Sequence, residues 1–198
     1  MTWKRDNTTF SYEILWRAAQ TALSMAEVKD PRIRIDHLSI HSILTAFLAF
    51  EGFINLVGDE IAPAIWKTER DFFSGPKFIG IVGKIEYLFT LFPNIELKKG
   101  EEPYQTFSKV KATRDNLAHN RVLNYSETTP DENCSLRTNW EDFDTPEKIR
   151  PALQRLKEFA ELIRVEAVKL LKEDYALSHL HFQAFEGPLG GSEGTKIG

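Results

Sequence analysis

Cysteine is almost absent from this chain. The single Cys134 lies in a polar stretch and cannot close an intramolecular disulfide, which fits a reducing compartment. With no histidine near it in sequence, nothing supports it as a thiol nucleophile. A signal core is also missing after Met1-Thr2-Trp3-Lys4-Arg5-Asp6. No apolar run reaches about 18 residues without a charged or polar break, the length a membrane span needs. The expectation is a soluble, cytoplasmic protein with no membrane partner. Three Asn-x-Ser/Thr triplets, starting at Asn7, Asn124 and Asn133, carry no meaning without secretion. Excess positive charge is lacking too: the net charge is -4, which argues against a general nucleic-acid coat protein. Any RNA contact has to be local.

What is present is enough apolar material for one core. At 198 residues and 42% hydrophobic content, one domain is the default. There is no internal repeat and no second-domain linker. The single domain is drawn at residues 1–186, and residues 187–198, beginning Gly187-Pro188-Leu189-Gly190-Gly191, have the composition of a flexible tail.

Helical periodicity dominates. Ile14, Leu15, Ala18, Ala19, Ala22, Leu23 and Ala26 predict a helix over 11–28, ended by Asp30-Pro31. A second helix over 36–61 is apolar around most of its circumference and should be central. One narrow polar stripe crosses it: His37, His41, Glu51, Asn55 and Asp59 lie within about 40° of one line. A solvent-facing stripe accounts for His37, His41 and Asp59 near the helix ends. Glu51 and Asn55, flanked by phenylalanines, need another reason. Shorter helices are predicted over 64–73 and 78–92, and longer ones over 104–121 and 146–175. Residues 124–145, rich in Ser, Thr, Asn, Asp and Glu, read as a polar loop insertion with a short extended piece over 136–140. The fold class is therefore all-α, an up-and-down helical bundle with this loop before the last long helix.

Two tempting motifs fail on chemistry. Gly80-Ile81-Val82-Gly83-Lys84-Ile85 is not a phosphate loop, because residue 78 is Phe where the motif needs Gly and residue 85 is neither Ser nor Thr. In His37-x-x-x-His41 the glutamate of the zinc-protease motif is replaced by Leu38. No metal and no other cofactor is expected.

The stretch Arg114-Asp115-Asn116-Leu117-Ala118-His119 carries the most information. Phe107, Val110, Arg114, Leu117 and Arg121 share one helical stripe, so Arg114 stands in line with core-facing residues. Taking a guanidinium from water costs several kcal/mol, as an order of magnitude, unless carboxylates, carbonyls or a ligand's phosphate compensate it. A spacing of five turns His119 about 140° away from Arg114 on a straight helix. The two serve one site if the helix unwinds near Asn120, if the arginine reaches around, or if a second subunit supplies half the groups. Residues 98–121 hold Lys98, Lys99, Lys109, Lys111, Arg114 and Arg121 against Glu101, Glu102 and Asp115. That local balance of +3 leaves -7 elsewhere. It is either a solvated helix face or an RNA-binding patch of Lys109, Lys111 and Arg121.

Arg114-Asp115-x-x-x-His119, with Leu117-Ala118 before the histidine, resembles the R-x(4 to 6)-H motif of the HEPN superfamily. The run Ala46-Phe47-Leu48-Ala49-Phe50-Glu51-Gly52-Phe53-Ile54-Asn55 is similar to the second-helix pattern of many HEPN proteins. The likeness covers about 35–122, and the flanking helices match only in type. It implies a HEPN-type bundle, a homodimer with the two motif segments at a shared cleft, and metal-independent cleavage of RNA to a 2′,3′-cyclic phosphate. Arg114 and His119 would be catalytic, with Glu51 holding Arg114 when no RNA is bound. Asp115 would orient His119 or pair with a basic neighbour, and Asn55 and Asn120 would support the site. The resemblance also implies a defence or toxin–antitoxin setting, with an inhibitory antitoxin partner. The alternative is a noncatalytic HEPN-like binding or regulatory subunit, in which Arg114 is a core-edge arginine and His119 a helix cap.

Overall fold

Small residues govern how the first two helices meet. The computed structural model describes residues 11–28, 30, 32, 34–118 and 141–171, all helix or connection without a strand among them. Helix α1 (Ser11–Glu27) and helix α2 (Ile35–Ile61) bury Ala19, Ala22 and Ala26 on one side and Ser39, Ser42, Ala46 and Ala49 on the other. Short side chains let the two backbones approach closely. The Ser42 hydroxyl donates to the Ala19 carbonyl at 2.8 Å, satisfying a hydroxyl that would be costly to bury alone. Tyr12 meets Phe53 edge-on at 5.8 Å. Ala19 beside Ser42 and Tyr12 beside Phe53 make the pair antiparallel.

The remaining elements are α3 (Pro63–Trp66), α4 (Glu69–Phe72), α5 (Gly80–Leu91), α6 (Tyr104–Ala118), a 3-10 turn (Glu141–Phe143) and α7 (Pro146–Leu170). The expected all-α class is what these residues adopt. The core centres on Phe50 of α2, Phe107 of α6 and Phe159 of α7, whose ring centroids lie 5.3 to 5.8 Å apart. Each is fully buried, worth about 1.5–3 kcal/mol per side chain against exposure. Each ring contact adds about 0.5–1.5 kcal/mol. The Arg150–Glu27 ion pair fastens the start of α7 to the end of α1.

Helix α2 is long and apolar enough to cross a bilayer, with a mean hydropathy of 1.6 over its most apolar stretch. Half of that stretch is buried inside the fold, as in a central core helix. His37, His41 and Asp59 are exposed, whereas Glu51 and Asn55 are half-buried.

Three expectations shift. The helix expected over 64–73 is two four-residue helices, broken where Trp66 turns onto α2. Its ring lies against Gly58, where a Cβ would sit 1.9 Å from the indole. Helix α5 starts at Gly80, not 78, because Gly80 turns the chain with φ 55°. The end of the polar loop is not loose: Phe143 is buried in the core. The extended piece over 136–140, the last residues of the two long helices and the tail at 187–198 lie outside the described residues.

Candidate functional site

Arg114 lies in the last described turn of α6, on the stripe set by Phe107 and Val110. Phe107 and Val110 are buried, but the Arg114 side chain is one-third exposed. The guanidinium sits over the Phe47 ring, with Cζ 5.5 Å from the centroid, so the cation is partly sheltered by an aromatic face. Nη1 donates to Asp115 Oδ1 at 3.0 Å. Nη2 lies 3.9 Å from Glu51 Oε2, too far for a hydrogen bond and close enough for attraction. An arginine has five N–H donors, and among the described residues only one bond uses them.

Asp115 also accepts from Lys111 Nζ at 2.6 Å, an i, i+4 pair along α6. Burial pushes the Asp115 carboxyl up, but the hydrogen bonds and charges of Lys111 and Arg114 outweigh it and hold the group below its ordinary 3.8. Two cations thus face two carboxylates, Asp115 and Glu51, and the cluster is neutral as it stands. Beside it opens a cleft of about 350 Å³, lined by Leu44, Leu48, Arg114, Leu117 and Ala118.

Of the residues proposed from sequence, Arg114, Asp115, Glu51 and Lys111 come together here. Glu51 approaches Arg114 from α2, and Asp115 pairs with its basic neighbours. Asn55 does not join them. Its Oδ1 accepts from Lys84 Nζ at 2.6 Å, and Lys84 also donates to Glu69 at 2.8 Å. Lys109 points elsewhere too: exposed and about 140° around α6 from Arg114, it lines a polar cleft with Lys148 and Arg155 of α7. His119, Asn120 and Arg121 lie outside the described residues.

Lys84 is the polar residue that sequence reasoning passed over. It is buried on the α5 face carrying Ile81, Ile85 and Leu88, and its ammonium lies 5.7 Å from the Phe73 ring centroid. A lysine among apolar positions spaced by three and four was the available signal. The glycines around it are also structural. A Cβ at Gly83 would lie 2.5 Å from the Phe78 backbone, so this segment resembles a phosphate loop because of packing. Among the described residues, no three His, Cys, Asp or Glu side chains gather as a metal site would require.

Fold and site together define a class: an all-helical chain with an arginine held between two helices, loosely matched by carboxylates, at the rim of an apolar cleft. Comparison of the chain with protein-family models, with curated proteins and with solved structures finds no match.

Proposed function

We propose that the chain is a HEPN-type endoribonuclease acting as a homodimer, cutting RNA without a metal. The ribose 2′-hydroxyl attacks the adjacent phosphorus. The 2′-O–P bond forms, the P–O5′ bond breaks, the 2′ proton is taken up and a proton goes to the departing 5′-oxygen. His119 handles these protons, which suits an imidazole whose ordinary pKa is about 6.5. Arg114 holds the phosphate and stabilises the charge that builds on its oxygens.

The observation that supports this reading best is the incomplete pairing of Arg114. A purely structural core-edge arginine would be expected to spend its donors on fixed acceptors. Among the described residues this one keeps a single hydrogen bond, at 3.0 Å, and a loose carboxylate at 3.9 Å. A phosphate can replace Glu51 without breaking a hydrogen bond. The leucines beside it support the dimer, since Leu48 is 41% exposed and a second copy would cover it. Two copies of Arg114 and His119 would then share one groove, in a defence or toxin–antitoxin setting with an antitoxin as restraint.

The test is incubation of end-labelled RNA with the purified chain in EDTA, followed by analysis of the product ends. Cyclic phosphates are expected; intact RNA of varied sequence and structure would contradict the reading. A second reading, a noncatalytic HEPN-like subunit, is favoured by the neutrality of the cluster, which leaves no net positive charge to attract RNA. Capture of one protein partner through Leu44, Leu48 and Leu117, without cleavage, would support it.

A further inference from the structure

A second cleft, of about 480 Å³, opens between the loop after α4 and the outer face of α5, lined by Phe72, Pro76, Lys77, Phe78, Tyr87 and Thr90. Its aromatic rings form one connected group. Phe72 stacks on Phe78 at 5.8 Å and 15°, and both meet Tyr87 edge-on, at 5.2 and 5.6 Å. All three are only half-buried, so a concave aromatic surface faces solvent. Small-molecule sites are commonly clefts of this size, lined by aromatic side chains with a few polar groups.

Charge and hydrogen bonding narrow the ligand. No carboxylate lines the cleft among the described residues, and its one charged group is Lys77. The Lys77 ammonium stands 5.1 Å from the Phe78 centroid with no carboxylate partner among those residues. The Thr90 hydroxyl donates to the Tyr87 carbonyl at 2.6 Å, which leaves its lone pairs to accept from a ligand N–H. Flat faces, one cation and a hydroxyl acceptor match a nucleobase with its phosphate. An apolar protein segment would leave Lys77 and Thr90 unused.

A chain of side-chain contacts also joins the cleft to the turn of α2 that follows Glu51. Glu51 faces Arg114, and Asn55, one turn or about 6 Å further on, holds Lys84. Lys84 sits over Phe73, which contacts both Phe72 and Tyr87. We propose that this aromatic cleft seats an unpaired base of the RNA bound at Arg114, so that the substrate is single-stranded. The inference rests on RNA as the ligand of Arg114. Base–aromatic stacking serves single strands because a paired base hides its faces in the duplex.

The test uses a fluorescent 2′-O-methyl oligonucleotide, which lacks the attacking hydroxyl, as single strand and as blunt duplex. Wild type is expected to prefer the single strand. Phe78→Leu, which keeps apolar volume and removes the stack, weakens binding about tenfold. Lys77→Gln, at an exposed site, weakens it about threefold with a shallower salt dependence. Adenosine monophosphate should shift the Tyr87 ring resonances in wild type and not in Phe78→Leu. Equal single-strand affinity in wild type and both folded variants overturns the cleft, even if cuttable RNA is cleaved and the Arg114 reading stands. Nucleotide-induced Tyr87 shifts lost in Phe78→Leu support the cleft even if no RNA is cleaved and that reading falls. A proline-rich peptide shifting Tyr87 where nucleotides do not would overturn it in favour of a protein ligand.

Discussion

Replacing Gly58 by alanine sets two opposing effects against each other, and the structure decides the sign. Gly58 is a buried position within α2, where alanine gains about 1 kcal/mol in helix propensity. Against this, the new Cβ would stand 1.9 Å from Cε2 and Cζ2 of Trp66. Carbon atoms rest about 3.5–4.0 Å apart, so the indole has to retreat by about 2 Å. The Phe73 ring at 5.0 Å and the Tyr87 ring at 6.1 Å stand against the indole and limit that retreat. Overpacking of this kind costs about 1–3 kcal/mol. Full undocking sets a ceiling near the cost of deleting a buried tryptophan, about 3–5 kcal/mol. The balance is a loss of about 2 kcal/mol. Urea unfolding should show the midpoint falling by about 1 M with little change in slope. Gly52→Ala is the control on the same helix. There the Cβ meets Tyr12 Cβ at 3.3 Å, a clash relieved by a few tenths of an ångström, and the change should lie within about 0.5 kcal/mol of zero. A Gly58→Ala protein as stable as wild type would refute the close approach of Trp66 to α2.

Three further predictions follow from the charged clusters. Glu51→Gln removes a charge 3.9 Å from Arg114, with both side chains about one-third exposed. At near-solvent screening that is worth about 1 kcal/mol, so RNA should bind about fivefold tighter at low salt, less so as salt rises; weaker binding would mean that Glu51 orients the arginine. Lys84→Met and Asn55→Ala should each destabilise the fold and couple by about 1 kcal/mol in a double-mutant cycle. Additive effects would contradict the part-buried 2.6 Å bond. Asp115 is held below its ordinary 3.8 in the folded state, so its contribution is complete above that value and lost as pH falls through the lower folded value. Wild type should therefore lose more stability than Asp115→Asn on acidification from pH 5 to below 4, read from urea midpoints; parallel losses would contradict the pairing.

Helix positions were legible because periodicity and breakers act locally. The bounds expected for the first two helices lie within one residue of α1 and α2. Asp30-Pro31 and Pro146 punctuate the sequence without help from tertiary structure. The segment from 64 to 73 was misread because its division depends on Trp66 finding Gly58, a contact between helices. The site divides in the same way. The position of Arg114 on an apolar stripe follows from its number alone, as does the polar line through Glu51 and Asn55. Which partner each would meet does not, since it depends on how α2, α5 and α6 register against one another. Asn55 went to Lys84 because α5 brings a buried ammonium to that turn, and no local pattern encodes that docking. Lys109 and Lys111, both counted as RNA-binding, separate because two positions along a helix turn a side chain about 200°.

The most direct test of RNA cleavage at Arg114 and His119 is single-turnover reaction of a single-stranded RNA in EDTA with wild type, Arg114→Ala and His119→Ala, each shown to be folded and of unchanged oligomeric state. Cyclic-phosphate ends from wild type, with cleavage at least a hundredfold slower in both variants (about 2.7 kcal/mol or more of lost transition-state stabilisation), are what the account predicts. Equal cleavage by all three proteins, or none by wild type, would contradict it.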